Sequence, residues 1–294
     1  MKTFTKIMLI IAGVFASVGV ICMVVAFAMG LTSEHLADMV QDGRFSFDEG
    51  DLHISFGDDA GNDLDIDLDT DIDIESNSEM KDESIYTIKE ACRGMDIEFG
   101  AGVLDICYDD VEHIQVKQTN IPNLKVNLKN DILVITEGSD VNIDLDDIED
   151  RNLTILIPKN MKFEEVELEI GASKAEIKDI ISKDISITVG AGQADVSKLT
   201  AKEFDLEVGA GQATAVQLDV EKMNVEAGIG QVNIALNGVQ EEYNYNVECG
   251  IGNVTVGSAS YGGLGAEQSI KHEGATKEIN IECGIGEVKI KFDR

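Results

Sequence analysis

Aspartates between positions 63 and 75 are the residues whose spacing most suggests chemistry, because the sequence there reads DLDIDLDTDIDIE. A strand places alternate side chains on one face, so these acids would share a face. Carboxylate oxygens are the ligands that Ca²⁺ prefers, which makes this tract a candidate calcium site. The alternatives are a solvated edge strand or a flexible acidic linker, since a straight strand cannot wrap an ion by itself. The candidate ligands are Asp63, Asp65, Asp67, Asp69, Asp71 and Asp73.

Signatures of other chemistry are missing from the sequence. The four histidines have no metal-ligand spacing, and neither a G-x-S-x-G elbow nor a phosphate-binding loop occurs. Cys249 and Cys283 occupy equivalent repeat positions, and they are interpreted as buried thiols in preference to a disulfide. The sequence therefore predicts no catalytic residue, and calcium is the one cofactor it leaves open. With 56 acidic residues in the chain, pairs of carboxylates occur by chance, so such pairs do not indicate an enzyme.

Charge narrows the range of partners. Lys plus Arg number 23 and Asp plus Glu number 56, which gives a net charge of −33. Nucleic-acid binding needs basic patches, so this composition excludes it.

The many Val and Ile in short runs, with only 2 Pro, favour β structure.

An apolar segment near the N-terminus predicts a membrane anchor. Residues 7–30 carry no charge and would span about 36 Å as a helix, enough to cross a bilayer. Lys2 and Lys6 precede this segment and acids follow it, so we expect a cytoplasmic N-terminus and an extracellular remainder. Cleavage after the A-x-A-like residues 26–28 is the alternative.

Three regions follow from these patterns. Residues 1–30 form the cytoplasmic tip and transmembrane helix. Residues 31–84 hold a short juxtamembrane helix at 33–42 and the acidic alternating tract. Residues 85–294 are expected to form one extracellular domain.

A repeated motif dominates this third region. Pairs of glycines spaced one residue apart follow alternating apolar residues, as in ISITVGAGQADV (185–196) and MNVEAGIGQVNI (223–234). The first glycines recur at intervals of 19, 19, 19, 22 and 34 residues from Gly171 onward. The structural repeat glycines are Gly100, Gly102, Gly171, Gly190, Gly192, Gly209, Gly211, Gly228, Gly230, Gly250, Gly252, Gly284 and Gly286.

A 19-residue period with one corner per repeat predicts a parallel β-solenoid of stacked turns. The glycines would occupy the corner, where the backbone needs a positive φ or close approach. Equivalent inward positions include Ile187, Leu206 and Val225. The residues between the paired glycines are also expected to point inward, changing from Ala191 and Ala210 to Ile229, Ile251 and Ile285.

The outward face of the predicted stack is a candidate binding face for cations, glycans or a partner. Its acidic column comprises Glu207, Glu226, Glu248 and Glu282. Asn224, Asn246 and Asn280 run beside it as a predicted amide ladder, and Gln193, Gln212, Gln231 and Asn253 form a second polar column. The alternative is a solubility face that prevents lateral aggregation.

An N-terminal anchor followed by acidic repeats of the form I-x-V-x-x-G-x-G resembles the putative adhesin (LiaG-like) β-strand-repeat domains of unknown function. These domains occur in envelope proteins of Gram-positive bacteria. The resemblance covers residues 85–294 and the anchor. It implies a surface location and a role in adhesion or envelope stress, and it supplies no catalytic residues.

Three functions remain in view. The favoured one is a non-catalytic, membrane-anchored surface protein that binds an envelope protein or a cell-wall polymer. A self-assembling scaffold is the alternative, because the chain ends at residues 291–294 with no apparent cap over the last repeat. The third is a polysaccharide-acting enzyme, which would need carboxylates that converge in a groove.

Overall fold

The computed structural model describes residues 72–73, 77–80, 83–121, 123–137, 150–262 and 265–293. The predicted transmembrane helix, the helix at 33–42 and all of the acidic tract except residues 72–73 lie outside these ranges. Within the described residues, no helix has the length and apolar character needed to cross a membrane.

Extended strands make up nearly all of the described chain, which confirms the all-β prediction. A 3-10 turn lies at Gln240–Glu242. The strands are β1 (Ile72–Asp73), β2 (Asn77–Met80), β3 (Glu83–Ile88), β4 (Gly94–Phe99), β5 (Val103–Asp109), β6 (Ile114–Thr119), β7 (Leu124–Lys129), β8 (Ile132–Glu137), β9 (Asn152–Pro158), β10 (Phe163–Ile170) and β11 (Lys174–Ile177). They continue as β12 (Ile180–Val189), β13 (Gln193–Val196), β14 (Leu199–Val208), β15 (Gln212–Ala227), β16 (Gln231–Asn237), β17 (Tyr243–Cys249), β18 (Asn253–Val256), β19 (Ala259–Gly262), β20 (Ala266–Ile270), β21 (Lys277–Cys283) and β22 (Glu287–Asp293).

The central strands pair in parallel, in the register that the repeat predicts. Leu168 pairs with Ile187, which pairs with Leu206, and Leu206 pairs with Val225. Each step is 19 residues, so equivalent residues of neighbouring repeats lie side by side about 4.8 Å apart. A second set of parallel pairs follows the glycine corner, for example Ala175 with Ala194. We call a strand, its corner and the strand after it a layer.

Layers do not follow one another in sequence order at the C-terminal end. Strand β15 pairs with β21, and β21 then pairs with β17. The last repeat of the chain therefore lies between two earlier ones. The same exchange occurs at the opposite end, where β4 lies between β8 and β10. The prediction that the final repeat forms an open edge is wrong.

Antiparallel strands cover both ends of the parallel stack. Beyond β17 and β18 lie β20 and β19, which come from the insertion at 257–276. At the other end β7 covers β8 and β6 covers β9. Residues 113–158, expected to form early turns or a small sheet, supply these end strands. The sequence-based reason for a scaffold disappears, because the edges of the parallel stack are already paired.

Inward columns build the core as predicted, since alternate residues of each strand are buried. Ile187, Leu206, Val225, Ile281 and Val247 are each at most 3% exposed. The prediction that the residues between the paired glycines point inward is wrong. Ile251 is 66% exposed and Ile285 is 56% exposed, so this column points outward. The corner turns the chain, so the alternation of the preceding strand does not continue through it.

Candidate binding face

The acidic column is assembled by direct strand pairing. Glu207 pairs with Glu226, Glu226 with Glu282, and Glu282 with Glu248. The predicted four residues are thus neighbours, although in an order that the sequence did not suggest. The cap strand β20 adds Glu267, which pairs with Glu248. Sequence reasoning missed Glu267 because the cap strand carries no repeat motif.

This column concentrates negative charge along one line of the surface. Five glutamates occupy consecutive strands, and the side chains of Glu207, Glu248 and Glu267 are exposed. Like charges at strand spacing cost about 1 kcal/mol per pair in water, and salt reduces that cost. Thr188 separates this run from Glu169, which pairs with Glu98 in the next layers. The longest unbroken run of glutamates in this column therefore lies toward the C-terminal cap.

Asparagines beside the acidic column form the predicted amide ladder. Asn246 Nδ2 donates to Asn280 Oδ1 at 2.9 Å, and Asn280 Nδ2 donates to Asn224 Oδ1 at 2.9 Å. Asn224 Nδ2 in turn donates to Asp205 Oδ1 at 2.5 Å. The hydrogen bonds run in one direction through four layers and end on a carboxylate. This ladder ties the final repeat to both of its neighbours.

The glycines act through close approach between layers. A Cβ on Gly211 would lie 2.4 Å from the carbonyl oxygen of Gly192, and a Cβ on Gly230 would lie 2.4 Å from that of Gly211. Among the repeat glycines, Gly102 alone has a positive φ, at 134°. The corner at Gly100 is open, since the nearest atom to a Cβ there is 3.9 Å away. Stacking, more than backbone conformation, thus requires glycine at most of these corners.

A shallow groove of about 530 Å³ follows the corners through four layers. Backbone of Gly192, Gly211 and Gly230 contributes to its lining. The predicted glutamine column also lines it, at positions Gln193, Gln212 and Gln231. Asn253 lies outside the groove in the layer beneath the cap, where its Oδ1 accepts from Ser260 Oγ at 2.8 Å.

Three isoleucines continue the line of corners toward the cap. The amide of Ile229 donates to the carbonyl of Gly209, that of Ile285 to Gly228, and that of Ile251 to Gly284, each at 2.8 Å. The corners therefore stack one layer apart. The exposed side chains of Ile251 and Ile285 and the half-buried side chain of Ile229 form an apolar ridge. Each isoleucine follows a glutamate of the acidic column by three residues, namely Glu226, Glu282 and Glu248.

A buried ion pair closes the corner stack at its other end. Arg151 Nη2 lies 2.5 Å from Glu137 Oε2, and the two side chains are only 5% and 11% exposed. Arg151 Nε donates to the carbonyl of Ala101, while the amide of Gly100 donates to Glu137 Oε1. The pair thus satisfies backbone groups of the first glycine corner. The sequence showed no signal for it, because the partners are separated by a segment without a motif.

Cys249 and Cys283 pair directly in neighbouring strands, and both are buried free thiols, as predicted. Burial and the adjacent Cys249 together raise the pKa of Cys283 to about 11. A neutral thiol is a poor nucleophile, so Cys283 acts as a small apolar side chain.

The insertion packs against the body of the sheet. The rings of Tyr261 and Tyr245 lie 6.4 Å apart edge to face, and His272 lies 5.8 Å from Tyr245. His272 Nδ1 is 2.7 Å from the carbonyl oxygen of Tyr243. Burial raises the pKa of Tyr261 to about 12, so its hydroxyl stays protonated. These contacts make the segment a cap of the stack.

The calcium hypothesis falls almost entirely outside the described residues. Of the six candidate ligands, Asp73 alone is described, in strand β1 beside β7. Among the residues that the structure describes, no group of three or more His, Cys, Asp or Glu side chains is arranged to hold a metal ion. The site of the acidic tract stays a prediction.

A protein family of unknown function matches part of the chain. Residues 201–257 match the family described as the N-terminal domain of toast_rack, DUF2154. This segment runs from β14 to the end of β18 and includes three glycine corners. The chain therefore resembles an adhesin-like family of unknown function, as the repeats indicate. No curated protein matches the chain.

Three crystal structures have partial likeness to it. A putative cell adhesion protein of Clostridium sporogenes is 18% identical, with 72% of this chain and 99% of that chain covered and a TM-score of 0.42. For a putative adhesin of Bacteroides fragilis the identity is 13%, the coverage 72% and 98%, and the TM-score 0.42. A putative lipid binding protein of Parabacteroides distasonis is 12% identical, with coverage of 72% and 94% and a TM-score of 0.38.

Proposed function

We propose that this protein is a membrane-anchored, non-catalytic binding protein of a Gram-positive cell envelope, which presents an acidic β-solenoid outside the cell. The 19-residue register of the parallel strands supports the solenoid. A repeated corner and buried columns that continue from layer to layer are typical of such stacks. In this proposal the cap strands make the stack a closed unit of limited length.

The acidic column from Glu207 to Glu267 is the observation that carries the binding role. Five acids in consecutive paired strands raise the electrostatic free energy of the folded protein. Alternating signs would serve solubility equally well at lower cost. A line of one sign instead favours a positively charged partner and speeds its encounter with the surface.

The proposed membrane anchor is inferred from residues 7–30 alone. Their length, lack of charge and preceding lysines support a single crossing with the N-terminus in the cytoplasm. Such an anchor would hold the acidic face near the membrane on the outer side. Partners would then be envelope proteins or wall polymers.

Cross-linking in living cells tests this proposal. A tagged full-length chain is cross-linked, purified and analysed by mass spectrometry, alongside a variant with Glu207, Glu226, Glu248 and Glu282 changed to Gln. A matched control carries Glu98→Gln and Glu169→Gln. We expect a reproducible envelope partner that is lost in the first variant and kept in the control.

Two results would contradict the proposal. One is recovery of cytoplasmic proteins only. The other is a chain that external protease cannot reach on intact cells but degrades after lysis. Turnover of a glycan substrate that one Glu→Gln change abolishes would replace the binding role with an enzymatic one.

A further inference from the structure

Isoleucines at three neighbouring corners and the acidic column together form one amphipathic surface near the C-terminal cap. We call it the Ile–Glu face, and it comprises Ile229, Ile285 and Ile251 with Glu226, Glu282 and Glu248. Each of the three layers contributes one isoleucine and one glutamate. The pattern repeats at the strand spacing of about 4.8 Å.

Large apolar side chains at these corners are not required by the fold. The corresponding corner positions in other layers hold Ala172, Ala191 and Ala210, and the layers stack there in the same way. Ile251 and Ile285 are 66% and 56% exposed, among the few large hydrophobic residues on the described surface. Contiguous exposed apolar side chains mark interaction sites more often than isolated ones do.

Charge decides what kind of partner fits this face. The glutamates lie three residues before the isoleucines in every layer, so an occupant of the ridge meets a line of carboxylates along one side. A second copy of this chain would bring its own acids against them, and an anionic membrane surface would be repelled in the same way. A segment with apolar residues on one side and Lys or Arg on the other matches both features.

We propose that the Ile–Glu face binds a basic amphipathic peptide segment of a partner protein. The apolar side of the segment packs on Ile229, Ile285 and Ile251, while its cations lie over Glu226, Glu282 and Glu248. This inference rests on the proposed binding role and names its surface and the chemistry of its partner. Three layers span about 10 Å, which two turns of a helix would cover.

Peptide titration tests the inference directly. The full-length chain is held in phosphatidylcholine nanodiscs, and an 18-residue Lys/Leu amphipathic peptide is titrated by fluorescence anisotropy. A Lys/Ser peptide of equal charge and a Glu/Leu peptide of equal apolarity serve as controls, with empty nanodiscs as background. We expect the Lys/Leu peptide to bind more tightly than either control, and its affinity to fall as salt rises.

Variants locate the site. The double substitution Ile251→Ser, Ile285→Ser should lower the affinity for the Lys/Leu peptide about 10- to 100-fold, because two exposed apolar contacts are lost. Val216→Ser, at another exposed apolar position, should leave the affinity unchanged. Changing Glu226, Glu248 and Glu282 to Gln should weaken binding several-fold and reduce its salt dependence. Thermal midpoints no lower than that of the unmodified protein would show that all variants are folded.

Several outcomes would overturn the inference. Equal binding of the Lys/Ser peptide would reduce the face to a nonspecific acidic surface. If the protein forms a homodimer that the Ile251→Ser, Ile285→Ser variant loses, the occupant of the face is a second copy of the chain. If the protein binds phosphatidylglycerol vesicles through this face, the occupant is a membrane surface. If the Lys/Leu peptide does not bind but cross-linking still captures an envelope partner, the inference is wrong and the proposed function stands.

Discussion

Asn280 donates its Nδ2 hydrogen bond to Oδ1 of Asn224 at 2.9 Å, although 56 residues separate them in the chain. Asn246, which is nearer in sequence, lies one layer further away and donates to Asn280 instead. The last repeat is therefore inserted between two layers that precede it. This single contact records how the C-terminal end of the stack is built.

The central position of Asn280 predicts an unequal effect of two substitutions. Asn280→Ala removes two hydrogen bonds of the ladder, whereas Asn246→Ala removes one at its end. At about 1 kcal/mol for each bond, we expect a loss of about 2 kcal/mol for Asn280→Ala and about half of that for Asn246→Ala. Urea unfolding measures both. Equal losses would mean that the ladder does not contribute as a chain.

Close stacking at the corners predicts that Gly211 tolerates no side chain. Gly211→Ala places a Cβ 2.4 Å from the carbonyl oxygen of Gly192, which is backbone and cannot move aside cheaply. We expect a loss of about 1–3 kcal/mol in the free energy of unfolding. Gly100→Ala is the matched control, because its Cβ meets nothing closer than 3.9 Å. A control loss as large as that of Gly211→Ala would show that conformational freedom, and not stacking, selects glycine.

Removal of Arg151 should destabilise the N-terminal end of the stack. Arg151→Ala leaves Glu137 buried without its ion pair and removes the hydrogen bond from Arg151 Nε to the carbonyl of Ala101. We expect a loss of about 3–5 kcal/mol, measured by thermal unfolding. Lys183→Ala breaks an exposed ion pair with Glu164 and should leave the midpoint nearly unchanged. Similar midpoints for the two variants would argue against a buried role for Arg151.

Repulsion among the acidic residues around Glu167 on β10 predicts a pH-dependent stability. Partial burial raises the pKa of Glu167, and the nearby Asp96, Glu169 and Glu165 raise it further. A carboxyl whose pKa is raised on folding stabilises the fold while it is protonated, and that contribution is lost as pH rises through its pKa. Glu167→Gln should therefore be more stable than the wild type at pH 7, and this advantage should vanish below about pH 4. Chemical unfolding at the two pH values checks the sign.

Cap strands β19 and β20 predict a monomer. The chain without residues 1–30 should give a single monomeric species in light scattering at high concentration, because both ends of the parallel stack are paired. Replacing residues 258–273 with a Gly/Ser linker would expose the edges of β17 and β18 and should cause association. Glu267→Gln, which keeps the cap, is the control. Oligomers of the unmodified protein would restore the scaffold hypothesis.

Sequence patterns alone determined the strands, the corners and the columns. Alternating apolar residues in a 19-residue period leave one arrangement that buries every inward side chain, so register between repeats such as β12 and β14 follows directly. The acidic column and the amide ladder were predictable for the same reason, since equivalent positions in parallel strands lie side by side.

Tertiary structure alone decided the order of the end layers, the caps and the exposure of the ridge. Ladder hydrogen bonds join backbone groups, so β15 can pair with β21 as well as with β17, and the period cannot distinguish the two. The choice depends on how the insertion folds into β19 and β20 and returns the chain one layer inward. The corner likewise rotates Ile251 and Ile285 into solvent, because a turn interrupts the alternation that the strands obey.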